Sequence, residues 1–171
     1  MSQDISLERV SYHEAGHAVA SYLVGVKFSH VTIVPEKNRL GYLKNSKTEQ
    51  KRAMFLSDKY QKLNDYTRKR ILICVAGSVA ENLYTKDGIR LGAYDLDEAW
   101  LLAYCLSISD RGKWPLTPWD YYYEVEDKFK EELIWKAIET LASELLVRRT
   151  IGYRAAVEII EKIILDFPTS T

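Results

Sequence analysis

The chain has 171 residues, 47% hydrophobic and 28% charged, the make-up of a globular protein with a core to bury. Lysine plus arginine and aspartate plus glutamate each number 24, so the formal charge is zero, which argues against a nucleic-acid binder held by phosphate contacts. Apolar runs such as residues 18–23 fall far short of the roughly 18–20 residues that span a bilayer, and the first ten residues carry acids where a signal peptide has a basic end and an apolar core. A soluble, unexported, cytoplasmic protein is the expectation.

In chain order, Val10, Ala18, Val19, Tyr22 and Leu23 recur at helical spacing and predict a helix over residues 7–24, closed by Gly25 as a left-handed cap. Residues 28–35 are β-branched, a polar turn follows at 36–39, and residues 40–43 offer a return strand. Residues 44–56 are polar and charged and read as a mobile loop. Apolar spacing from Ile71 to Leu83 predicts a second helix over 63–84, a glycine-punctuated loop over 87–93, and a third helix over 95–106. Trp114-Pro-Leu-Thr-Pro-Trp119 breaks the chain. A long helix is expected over 120–148, and a last one ending near 165 would fold back as its antiparallel partner. The fold class is mainly α (α+β) with one small sheet, in a single domain over residues 1–171. Its core would span about 1–110 and its C-terminal helices about 115–171.

Cys74 and Cys105 stand 31 residues apart in apolar segments with no CxxC or zinc-ribbon spacing, and read as reduced core thiols. His30 reads as a surface or core-edge histidine, and Arg68-Lys-Arg70 and Arg148-Arg149 as solvated helix faces. Tyr121-Tyr-Tyr123 with Trp114 and Trp119 forms an aromatic cluster suited to helix packing or self-association.

Two of the three histidines stand in His13-Glu14-Ala15-Gly16-His17. On a helix, positions i and i+4 share a face one turn apart, so both imidazoles reach one metal ion. Glu14, one step round, can contact a metal-activated water without occupying the metal. Two neutral nitrogen ligands plus a carboxylate base are the HExxH signature of zinc hydrolases. A catalytic zinc needs a third protein ligand. The metzincin extension is excluded, because Leu23 stands where its histidine would fall. Glu36, Glu49, Glu81, Asp95 and Asp97 remain, and spacing alone does not choose among them.

His13-Glu-Ala-Gly-His-Ala18 resembles the peptidase domain of the FtsH family, membrane-anchored ATP-dependent zinc proteases. Three further stretches fit in the same order. Val31-Thr-Ile-Val-Pro35 with Leu40-Gly-Tyr42 resembles the family's strand pair near the active site. Val75-Ala-Gly-Ser-Val-Ala-Glu81 resembles its Ala-Gly-Arg-x-Ala-Glu helix. Gly92-Ala-Tyr-Asp-Leu96 resembles its Gly-Ala-x-x-Asp stretch, whose aspartate is the third zinc ligand. The resemblance covers about residues 7–108. It implies zinc held by His13, His17 and Asp95, with Glu14 as general base. The interval before the aspartate is one residue shorter here, so Asp97 is the runner-up ligand. Glu81 is expected either to orient a ligand histidine or to make a buried structural hydrogen bond.

The chain has no GxxxxGK[ST] and no room for an ATPase module or a membrane helix. The resemblance therefore implies a stand-alone zinc metalloendopeptidase acting on unfolded or flexible polypeptides, with self-assembly and a separate ATPase partner left open. A non-catalytic zinc-containing peptide-binding module and a zinc hydrolase of non-peptide bonds are the alternatives. A substrate strand could add to the edge at residues 31–34 or 41–43.

Overall fold

Helix α1 (Leu7–Leu23) is the axis of the molecule. The computed structural model describes residues 6–36, 40–45, 60–88, 93–109 and 117–165. The Ser6 side chain accepts a hydrogen bond from the Arg9 backbone N–H at 3.3 Å and so caps the start of α1. Gly25, at φ +69°, turns the chain out of its end as the sequence predicts. From Glu14 to Ser21 every residue is buried, so α1 has no solvated face over two turns.

The neighbour on one side is α2 (Tyr60–Thr85), whose residues 71–80 are all buried. The two helices cross almost backbone to backbone. A Cβ on Gly16 would lie 2.5 Å from the Ala76 carbonyl oxygen and 2.6 Å from the Ala80 Cβ. Beyond α2 lies α3 (Ala93–Ser109), packed through Ala99, Ala103 and Leu106. Helix α4 (Pro118–Phe129) also packs on α2, whereas α5 (Glu132–Arg148) packs on α1 and α6 (Tyr153–Ile164) packs on α5.

Beside α1 stands an antiparallel sheet of β1 (Phe28–Thr32), β2 (Tyr42–Asn45) and β3 (Thr150–Gly152), in the order β2-β1-β3. Val31 pairs with Leu43 on one side and with Ile151 on the other. The Ile33 N–H extends the second pairing by donating to the Arg149 carbonyl at 2.9 Å. Among the described residues the protein is mostly helical, with six helices and this small sheet, and the mainly α (α+β) class stands. No described helix is long and apolar enough to cross a membrane.

Several sequence expectations change. The single helix over 120–148 is two helices broken at Lys130 and Glu131, and Glu131 is extended at ψ 129°. The break lets α4 follow α2 and α5 follow α1, which one straight rod could not do. Strand β3 has no three-residue signal strong enough to predict, and it makes β1 the central strand. The return strand forms two residues later than expected, at Tyr42–Asn45, and absorbs the start of the loop read over 44–56; the rest of that loop lies outside the described residues. Cys74 is buried but Cys105 is exposed. Tyr121 and Tyr122 are core residues and Tyr123 is exposed. Trp114 lies outside the described residues. Arg68 donates to Glu124 and Arg70 to Glu98, so two of the three cations at 68–70 tie helices together instead of being merely solvated.

The α1–α2 crossing yields a stability test. Replacing Gly16 by alanine in a helix interior gains about 1 kcal/mol of helix propensity. Overpacking against backbone atoms costs about 1–3 kcal/mol, and here the obstacle is a helix that cannot give locally. Gly16→Ala should therefore lower the urea midpoint of unfolding; an unchanged or raised midpoint would show that the crossing has slack.

Candidate metal centre

Helical phase places His13 and His17 on the face of α1 that looks toward α2 and the start of α3. The His13 Nε2 lies 3.1 Å from the His17 Nε2. The Asp95 Oδ2, from the first turn of α3, lies 3.0 Å from the first nitrogen and 3.4 Å from the second. Among the described residues these three form the group that could hold a metal ion. Asp97, two residues on and on the far side of α3 from Asp95, is exposed, and so is Glu36. Glu49 lies outside the described residues.

The remaining ring nitrogens are both engaged. His13 Nδ1 donates to Glu81 Oε2 at 3.1 Å, and His17 Nδ1 donates to the Ile73 carbonyl at 2.7 Å. Glu81 thus sits behind His13, on the side away from Asp95. Its other oxygen accepts from the Arg9 Nε at 3.1 Å and from Arg9 Nη2, and Arg9 lies one turn before His13. Donation from Nδ1 fixes the tautomer that leaves an electron pair on Nε2. Two such pairs and a carboxylate oxygen then face one another, and only a cation among them relieves their repulsion.

The donor set fits zinc. Ligands at about 2.0–2.1 Å around a tetrahedral ion stand about 3.3 Å apart, close to the three observed separations. Gly77 of α2 supplies the space. A Cβ there would lie 2.4 Å from the His17 Nε2 and 2.6 Å from the His13 Nε2, so any other residue would fill the point on which the nitrogens converge.

Without the ion, protons take its place. Burial opposes charging His13, but hydrogen bonds to Asp95 and Glu81 outweigh it and push its pKa up to about 10. Burial likewise disfavours charge on His17, and the Asp95 carboxylate reverses that and raises its pKa. Asp95 is held well below the usual carboxylate range: burial would raise it, but the two histidines prevail. Glu81 is lowered in the same way, burial being overcome by His13 and Arg9.

The Glu14 side chain is buried beside the histidines. The chain approaching β2 passes directly over it: a Cβ on Gly41 would stand 2.9 Å from Glu14 Oε1 and 2.8 Å from the Thr32 carbonyl oxygen. His13, Glu14, His17 and Asp95 all open on one cleft of about 590 Å³, lined also by residues 40–43, Asn45, Arg70, Cys74, Tyr94 and Glu98. Burial pushes the Cys74 thiol well up, so it stays protonated. His30 lies on β1, half-buried, its ring edge toward Tyr42.

Sequence reasoning missed the wall formed by Arg70, Glu98 and Asn45. A signal was present, since Glu98 follows Asp95 by three residues and so shares its face of α3.

The His–His–Asp group, set between a helical core and a small sheet, is a candidate metal centre. Residues 2–106 match the family model described as peptidase family M41, the FtsH peptidase family, and the chain belongs to that family of zinc-dependent peptidases. Compared with curated proteins, the chain matches none.

The raised histidine pKa values give a test with a fixed sign. A ligand histidine such as His13, held protonated at neutral pH, must lose its proton to bind a metal. Adding zinc to the metal-free protein at pH 7 in weak buffer should acidify the solution. Heats of binding measured in buffers of different ionisation enthalpy should report at least one proton released per zinc, and a release of none would contradict the raised His13 value.

Proposed function

We propose that the protein is a zinc metalloendopeptidase that hydrolyses unfolded or flexible polypeptides. The observation that carries this reading is the convergence of His13 Nε2, His17 Nε2 and Asp95 Oδ2 over Gly77, with the buried Glu14 carboxylate beside them at the floor of an open cleft. His13, His17 and Asp95 are the metal ligands and Glu14 the general base. The chemistry that bound zinc supplies is that of a Lewis acid, which polarises the scissile carbonyl and acidifies water.

The chain's own residues do the rest. Glu81 and the Ile73 carbonyl hold the imidazoles in the ligating tautomer. Glu14, with the backbone of Gly41 drawn across it, accepts the proton of the attacking water and returns it to the leaving amine. Its burial keeps that carboxylate away from bulk water.

Substrate is held by backbone. Of the two edges considered from sequence, the one at 31–34 is closed, because β3 and the Arg149 carbonyl already pair with β1 there. Among the described residues the outer edge of β2 is the remaining one, and it borders the cleft through Tyr42, Leu43 and Asn45. A polypeptide adding there as a strand is read mainly through its main chain, which suits unfolded segments of many sequences.

Casein cleavage by zinc-loaded protein, with Glu14→Gln alongside, tests the activity. The parent should cleave and Glu14→Gln should lose at least about a hundredfold in rate while keeping its zinc. Asp95→Ala should weaken zinc binding far more than Asp97→Ala. Zinc retained with no cleavage by the parent would instead favour a peptide-binding module.

Proline scanning tests the edge. Of the adjacent residues Leu43 and Lys44, one presents its N–H outward, and proline there should raise KM several-fold with kcat little changed. Unchanged KM in both variants would rule out strand addition at β2.

A further inference from the structure

We propose that Arg70 is a positioning residue, one guanidinium that fastens both the helix carrying Asp95 and the open strand edge to α2. The inference rests on the metallopeptidase reading and adds to it the part that sets the third ligand and the substrate edge relative to each other.

Asp95 lies in the first turn of α3, where apolar packing is thin. Tyr94 and Asp97 are exposed, Leu96 is half-buried, and Ala99 is the first fully buried side chain of α3 among the described residues. That first turn is held by two polar ties. One is Asp95 itself on the histidines, which is the contact a metal would take over. The other is Glu98, one turn on and on the same face, whose Oε1 accepts from the Arg70 Nη2 at 2.5 Å. Glu98 is therefore the tie that stays in place when Asp95 turns to a metal.

The same guanidinium reaches the sheet. Arg70 Nη1 donates to Asn45 Oδ1 at 2.8 Å, at the end of β2. The Arg70 side chain, carried by α2, is only 15% exposed, and its two arms are each held by a hydrogen bond. A planar fork can address two partners on separate nitrogens at once, and a lysine ammonium, compact and on a flexible stem, matches that poorly. The cleft wall is thus a three-part joint, with α2 supplying the pin, α3 the metal-ligand helix and β2 the substrate edge.

Each arm should act separately. Glu98→Ala, at a half-exposed side chain that acts on Asp95 only through its helix, should raise the zinc dissociation constant several-fold. Asn45→Ala should leave zinc binding within about twofold and raise the KM for an unfolded substrate several-fold. Arg70→Met should do both, and Arg70→Lys should recover zinc affinity more than KM. Zinc affinity is read by chelator competition and needs no activity. Glu98→Ala and Asn45→Ala keep the test decisive if Arg70→Met folds poorly. Asp95→Ala is the control. If it loses zinc while Glu98→Ala and Arg70→Met bind as the parent does, the inference is overturned and the metallopeptidase reading stands. If Asp95→Ala itself binds zinc like the parent, the assignment of Asp95 as third ligand falls, and this inference with it, whereas the metallopeptidase reading is judged by casein cleavage.

Discussion

Everything at the candidate site depends on how closely α1 lies on α2. Gly16 allows the approach, with Ala76 and Ala80 opposite, and Gly77 converts it into chemistry by leaving room where both imidazole nitrogens point. Two methyl groups and two glycine hydrogens thus set the separation of two histidines. Larger residues at these positions would add buried area, at about 25 cal/mol per Å², yet would push the helices apart and spread the donors. Packing density is traded for position at this one crossing.

The electrostatics follow from the same closeness. Two imidazoles and a carboxylate crowded into a buried corner repel unless a positive charge joins them, and the surroundings are arranged to make that charge a metal's. The Ile73 carbonyl and the Glu81 carboxylate occupy the back nitrogens, so the front ones carry the electron pairs. Arg9 in turn keeps Glu81 from being a lone buried anion. Charge alternates outward from His13 through Glu81 to Arg9.

The His13–His17 pair was legible because helical periodicity converts a spacing of four directly into a shared face. The first three helices and the strand pair were legible for similar reasons: contiguous apolar positions, a glycine cap, β-branched runs. Other features had no local signature. Residues 14–21 of α1 are buried all round, so the apolar stripe that normally gives orientation is blurred there. The break at Lys130 and Glu131 contains neither glycine nor proline; it arises because α4 and α5 have different partners, a tertiary cause. Strand β3 is three residues long and exists only because β1 offers it an edge. Spacing does not single out Asp95 among five carboxylates; it is the fold that brings it against the two histidines.

The region matched to the family ends at residue 106, yet the sheet is not finished there. Thr150 reaches back 118 positions to hydrogen-bond Thr32, and the Arg149 carbonyl meets Ile33 beside it. Contacts across so long a stretch of chain carry a large closure entropy and form late. During synthesis the HExxH helix therefore emerges early but lacks α5 over one flank, and β1 lacks its second neighbour, until roughly forty more residues have followed residue 106. Order of appearance thus separates the site from its backing: a nascent chain carries the cleft residues before the helix and strand that support α1 and β1 from behind.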